Sequence, residues 1–511
     1  MGQPSSYSIP APTGGWNAKD ALDTMDENQA IRLDNYFPDT SAVILRNGFR
    51  SHSTGIGTGT SQIQTLAEYA AASGARHLIA AAANKIYNAS TYGVAATNIT
   101  GAAVITINKW QTINFRATGT AYLIMVNGTD QPLCWDGSTL ASATYTGAGL
   151  TDDKLINISS YKRRVYLVEK DTTKAWYGAS EAYSGACTEY DFASLFLRGG
   201  YLNATATWSR DGGSGPQDLF VAISSMGEVL IYSGDDPSAA NWSLVGRYFT
   251  APPLGRRCTF SLDSDLILVT LSGLTPMSGL ASTGETGLEV PKLSDNIQKA
   301  FNSAAASYQS NFGWQPCVYH RGHFLLVNIP VVEGSQQDQA VMNLLTGSWC
   351  RFTGLNASSW TVYNDKLYFG GNDGVVYEAD YGGSDNGANI VGRIKTAFSY
   401  FGDRLRAKKY TLLRPVMAAT EGMSFDLNID VDFGDRTINN DIVIDGSSGE
   451  AWSDGVWDVS EWEDDGTAQI LNWYGVDGIG RCMAVRLESE SQNAEVAITA
   501  FSVVYEPGGV L

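Results

Sequence analysis

Two groups of residues combine types and spacings that could do chemistry. The first is His320-Arg321-Gly322-His323, half of the chain's four histidines, the others being His52 and His77. Two imidazoles at i, i+3 could give zinc two nitrogens, but a zinc site needs three or four protein ligands. No third ligand lies near, and the glycine between two apolar runs marks a hairpin turn. The second group is Asp426, Asp430 and Asp432. Spacings of two and four put three carboxylates on one face of a strand, where Ca²⁺ could bind, yet no loop has the EF-hand order. A solvated acidic face is the expectation. Walker, GxSxG and HExxH motifs are missing. Neither a catalytic nor a metal site is expected, and no cofactor.

Ser209-Arg210-Asp211-Gly212-Gly213 begins like a sialidase Asp-box, but lacks the following Thr-Trp and occurs once. Sialidase chemistry also needs an arginine cluster to hold a carboxylate, and a Tyr/Glu pair. Arg256, Arg257, Arg321 and Arg351 are available, but nothing in the sequence puts them on one face. A structural turn is the expected role.

Charge is unevenly spread. The chain has 53 acidic and 34 basic residues, a formal net charge of −19. Between 421 and 466 there are fourteen Asp or Glu and one basic residue, Arg436, so about two thirds of the net charge lies in this stretch. It follows a basic run of Arg393, Lys395, Arg404, Arg406, Lys408, Lys409 and Arg414. Such a surface does not grip phosphate backbones in bulk. Six scattered cysteines without a CxxC pair read as small core residues in a reducing compartment. A polar start and the lack of a run of about 20 apolar residues lead us to expect neither a secretory leader nor stable membrane insertion.

The elements that must position these residues are short strands. With 54 glycines and 11% aromatics in 511 residues, the chain alternates apolar runs of about five residues with Gly, Asp and Ser turns. Leu219–Ile223, Glu228–Tyr232, Trp242–Tyr248 and Leu266–Leu271 are expected strands, and the rhythm repeats every 35–50 residues or so, as in propeller blades. The spacing favours an all-β fold built as a β-propeller of six or seven blades over 51–385; a set of β-sandwiches is the alternative. Residues 1–50 read as an N-terminal arm with one strand. Helical spacing of Ile297, Ala300, Phe301, Ala304 and Tyr308, capped by Leu293-Ser294-Asp295, predicts a helical insertion near 293–309. It would cover a sheet edge or dock a neighbouring subunit. After the turn at Ser384–Ala388, longer alternating strands predict a C-terminal β-sandwich-like module over 386–511. Trp452, Trp457 and Trp462 would pack its core, or, if exposed, contact a fibre or glycan.

The order of motifs resembles a family. Thr13-Gly14-Gly15-Trp16-Asn17, then LDNYFPDTSAVILRNGF (Leu33–Phe49), then SSMGEVLIYSGDDP, LVGRYF, PPLGRR and LILVTLSGLTPMS, then Leu288–Ser303, are similar to the tail hub or nozzle proteins of short-tailed bacteriophages. The likeness covers about two thirds of the chain and stops before its C-terminal third.

That resemblance implies a virion structural protein made in the bacterial host cytoplasm. It would form a homohexameric ring below the portal and its adaptor, the head–tail connector, and above a needle, fibres or tailspikes. Genomic DNA would pass through without sequence-specific binding. An acidic wall would keep DNA from sticking, by repulsion across a Debye length of about 8–10 Å. The candidate channel-facing residues are Asp426, Asp430, Asp432, Asp435, Asp454, Asp458, Glu461, Glu463, Asp464 and Asp465. Arg404, Arg406, Lys408 and Lys409 are the candidate contacts to a neighbouring subunit. The competing class is a glycan-binding or glycan-degrading propeller, an adhesin or depolymerase.

Overall fold

The computed structural model describes residues 3–211, 216–283, 290–419, 423–435, 441–444, 468–470, 472–492 and 495–510. The expected all-β class holds: among the described residues two short α-helices, Met277–Thr283 and Gln298–Tyr308, interrupt a succession of strands.

The described residues of 65–379 form seven small sheets in chain order, antiparallel but for one parallel pair at the edge of the third, and one of the seven is joined to further strands. Their leading strands are Thr65–Ala70, Gln111–Ala117, Leu155–Tyr161, Leu202–Asp211, Thr259–Leu262, Gln315–Tyr319 and Ser359–Tyr363. Each sheet's leading strand packs against the next sheet, and Ser359–Tyr363 packs back on Thr65–Ala70.

Strand alternation explains why these strands read as unbroken apolar runs. Successive side chains point to opposite faces, and here both faces are covered. Leu78 and Ala80 pack with Tyr363 and Tyr368 of the seventh sheet, while Ile79 and Ala81 pack with Leu123 and Met125 of the second. Ile156 and Val168 of the third sheet likewise meet Phe220 and Leu230 of the fourth. Side-chain hydrogen bonds cross the same gaps: Tyr161 Oη donates to the Gly234 carbonyl at 2.6 Å, and Ser359 Oγ to the Ile63 carbonyl at 2.7 Å.

The opening fifty residues, expected as an arm, are woven into the rest. Ser5–Pro10 and Val43–Leu45 pair with the last strand, Val496–Val510. Gln29–Asp34 lies between Trp349–Phe352 of the sixth sheet and Ile390–Thr396. Phe49–Ser53 completes the seventh sheet beside Val376–Ala379. Burial holds the segment there: Ile9, Leu33, Tyr36, Val43 and Leu45 are all within the core.

Through Gln29–Asp34 the sixth sheet continues into Ile390–Thr396, Met483–Ser491, Met423–Val431 and Asp441–Ile444, ten strands in all. A second sheet, centred on Arg406–Ala419 and Val496–Val510, faces it. Phe425, Leu427 and Ile429 meet Leu413, Met417 and Phe501 in the shared core.

The expected helix runs over Gln298–Tyr308 after a 3-10 turn at Asp295–Ile297. Phe301 and Ala305 cover Ile267, Leu325 and Trp349 of the fifth and sixth sheets. Ser294 occupies the capping position but its hydroxyl accepts from the Leu274 amide at 3.0 Å, tying helix to sheet instead. No helix among the described residues is long and apolar enough to cross a membrane.

Candidate functional site

The charged side chains of the C-terminal strands gather on one face of the ten-stranded sheet. Along Met423–Val431 the odd positions enter the core, so Asp426, Asn428 and Asp430 share the opposite face. The same alternation puts Arg486 and Glu488 on that face of the next strand, and Arg393 and Lys395 on the one beyond. Register makes Asp426, Glu488, Arg393, Asp34 and Arg351 successive cross-strand neighbours over five strands.

Opposite charges meet along this face. Arg393 pairs with Glu488, its Nε donating at 2.6 Å. Arg351 pairs with Asp34 by two hydrogen bonds of 2.8 Å, and Arg32 joins the same carboxylate. Asp430 accepts from Lys395 Nζ at 2.8 Å and Arg486 Nη2 at 2.7 Å, and both cations also bind Asp435. The Lys395 hydrogen bond is the leading reason that Asp435 sits below the ordinary carboxylate range. Opposite charges directly across a sheet stabilise it, so this face ties the C-terminal strands to the N-terminal strand and the sixth sheet.

One channel-facing assignment is therefore corrected. Asp430 is 1% exposed and neutralised by two cations, so it offers no free negative surface. Asp435 is exposed, though ion-paired. Asp432 is exposed too, and its Oδ1 accepts the amides of Arg481 and Cys482 at 2.8 and 3.2 Å, closing a turn. Asp426 is half-buried beside Glu488 and Asp441 of the flanking strands. Asp454, Asp458, Glu461, Glu463, Asp464 and Asp465, with Trp452, Trp457 and Trp462, lie outside the described residues.

Of the basic candidates, Lys408 is also corrected. It is 2% exposed, and its Nζ donates to the carbonyls of Asp403, Arg406 and Arg481 at 2.6, 3.2 and 2.9 Å. Burial pulls its pKa down. Strand alternation points it inward, out of reach of another subunit. Arg404, Arg406 and Lys409 are exposed. Arg404 lies over the Tyr400 ring at 4.7 Å, and Arg406 pairs with Asp403 at 3.6 Å.

His320 and His323 sit exposed at a hairpin turn between Gln315–Tyr319 and Phe324–Val332, with the His323 amide donating to the His320 carbonyl at 3.1 Å. Ser209 Oγ donates to Asp218 at 2.6 Å within the fourth sheet. No group of three or more His, Cys, Asp or Glu suited to a metal ion occurs among the described residues. Of the four arginines considered for an anion cluster, Arg256 and Arg257 share one cavity, while Arg351 is held by Asp34.

Arg486 and Glu488 escaped the sequence reading of the site, and Lys395 entered it only as a member of the basic run. Their signal is the period-two alternation of IVGRIKT and MAVRLESES, which marks one polar face per strand but not which strands adjoin.

Neither protein-family models nor curated protein sequences match the chain. Among solved structures it is similar to two structures of an extracellular domain from B. thetaiotaomicron, described in one as that of a hybrid two component system and in the other as that of a one component system. Identities are 11% and 10%, TM-scores 0.40 and 0.39, over 68% and 67% of this chain and 41% of each of those. A third similarity is to Chaetomium thermophilum Raptor, at 10% identity and TM-score 0.39, over 65% of this chain and 29% of that one. The chain thus spans less than half the length of each of these proteins.

Proposed function

We propose that the chain is a structural subunit of the tail hub or nozzle of a short-tailed phage. Its seven sheets are the blades of a β-propeller closed by Phe49–Ser53, and its C-terminal strands form a β-sandwich. Cyclic packing of the sheets, with an apolar cluster in each gap, supports the propeller. The observation that carries the functional reading is the woven N-terminus, whose strands belong to the seventh sheet, the ten-stranded sheet and the sheet facing it. Sheet-to-sheet hydrogen bonding of this kind suits a part that bears force without moving. It adds to the family resemblance of the motif order.

On this reading six copies form a ring under the adaptor, hold packaged DNA, and conduct it at ejection. The needle, fibres or tailspikes attach below. Part of the acidic segment from Glu421 to Asp465, Asp430 excluded, faces the channel or its mouth.

The test is the copy number of the chain in gradient-purified virions, by quantitative mass spectrometry against the portal protein. About six copies per particle is the expected outcome for one ring of a C6 assembly. A larger multiple of three would point to a fibre or spike. Absence from the particle would end the structural reading and favour the glycan-binding class.

A further inference from the structure

The leading strands of the first six sheets converge on a cavity of about 540 Å³. That is within the ~300–1,000 Å³ of small-molecule sites. In a chain with 53 acidic residues, no Asp or Glu among the described residues lines it, and two adjacent arginines, Arg256 and Arg257, do.

The arginines differ in how they are held. Arg257 is fixed by neutral acceptors only: Gln315 Oε1 at 2.8 Å, the carbonyls of Trp110 and Gln64 at 3.1 Å, and Thr65 Oγ1 at 3.2 Å. It also lies 5.1 Å from the Phe312 ring centre. These contacts orient its charge without neutralising it. Arg256 donates from Nη1 to the Asn127 carbonyl at 3.0 Å; a guanidinium has five N–H donors in all. Asp171, in an adjoining recess, acts on it only through space.

A cation withdrawn from water is costly unless an opposite charge compensates it. Burial pulls Arg257 down to about 10 and lowers Arg256 as well. Neutral hydroxyls line the same cavity: Ser159 and Thr205 share a hydrogen bond of 2.7 Å, and Thr207 donates to the Ser160 carbonyl at 2.6 Å.

We propose that this cavity binds a small anion, a carboxylate or phosphate group on a ligand of monosaccharide size or less, with Arg256 as the main contact and Arg257 as a fixed positive wall. The inference goes beyond a role in the tail and does not depend on it. A subunit with such a site would be stabilised by an anion, or recognise an acidic sugar, where its own leading strands converge.

Isothermal titration of the intact protein with inorganic phosphate, glucuronate and glucose tests this. Saturable binding of phosphate or glucuronate, with none of glucose, is expected, and the stronger of the two anions identifies the group. Arg256→Gln should weaken that binding roughly tenfold or more, because a charge-assisted hydrogen bond is lost. Equal binding of glucose, no binding of either anion, or an unchanged affinity in a folded Arg256→Gln protein would overturn the proposal. If that variant does not fold, crystals of the unaltered protein soaked in bromide decide it. An anomalous peak beside Arg256 supports the site, and none there refutes it.

Discussion

Arg351 holds Asp34 through two hydrogen bonds of 2.8 Å, Nε to Oδ1 and Nη2 to Oδ2, where the sixth sheet meets the N-terminal strand in parallel. The Asp34 side chain is 3% exposed, so its charge depends on this fork and on Arg32. Arg351→Met leaves a buried carboxylate with one half-exposed partner and should cost about 2–3 kcal/mol. Changing Asp34 to Leu in the same protein removes the orphaned charge and should restore much of the loss. Urea-unfolding midpoints of both variants measure this. A double variant no more stable than Arg351→Met would show that the fork matters for shape rather than charge compensation.

Acid should loosen the seam of the seventh sheet. Glu378 accepts from Lys366 at 2.7 Å and from Arg50 on the Phe49–Ser53 strand at 2.8 Å. Burial pushes its pKa up, but these two cations outweigh burial and leave it below the ordinary value. A lowered carboxylate contributes stability that is complete above the unfolded value of about 4.3 and is lost as pH falls through the folded one. Thermal stability should therefore fall as pH drops below about 4, with Phe49–Ser53 gaining hydrogen exchange first. Glu378→Gln should be less stable at pH 7 and fall more gently in acid. An unchanged acid slope in that variant would assign the loss to other carboxylates, such as Asp130, also held low by hydrogen bonds from Thr106 and Asn127 that outweigh its burial.

What the sequence could reveal depended on range. Glu228–Tyr232 and the helix through Phe301 were legible because their periodicity and turns are local: the strand ends one residue later than expected, and the helix, expected near 293–309, runs over Gln298–Tyr308 after the 3-10 turn at Asp295–Ile297. The strands Gln29–Asp34, Tyr474–Gly480 and Met483–Ser491 were missed. Glycines break up one of them, and charges interrupt the other two. Pairings such as Asp34 with Arg351 or Arg50 with Glu378 join positions over 300 residues apart and follow from topology alone. Asp430 illustrates the same limit. Alternation assigns it to a polar face, but only the neighbouring strands decide whether water or Lys395 covers that face.

Gly48 is expected to tolerate no side chain. A Cβ there would come within 1.9 Å of the Ser384 carbonyl oxygen, and the Gly48 amide already donates to the Gly382 carbonyl at 2.7 Å. The obstruction is backbone, which cannot swing aside as a side chain would. Gly48→Ala should destabilise by about 1–3 kcal/mol, the range for forced overpacking. The effect should appear as faster proteolysis near 380–388, where the neighbouring Arg46–Asp385 ion pair anchors the turn. Wild-type stability and cleavage would mean that the turn yields at little cost.

The basic run offers a way to separate folding from assembly, since neighbouring lysines face opposite directions. Lys408 is buried on three carbonyls, whereas Lys409 and Arg406 are exposed. Lys408→Met strips three buried acceptors of their donor and should lower stability by about 1–3 kcal/mol. It should leave any subunit interface chemically intact. Arg406→Glu with Lys409→Glu should do the reverse: a normal melting temperature, but weaker incorporation into particles, improved by raised salt as like-charge repulsion is screened. Counting copies per virion in both backgrounds, beside their melting temperatures, reads the two effects apart. Full incorporation of the double glutamate variant at low salt would remove these residues from the proposed interface, while leaving the tail assignment to the copy number itself.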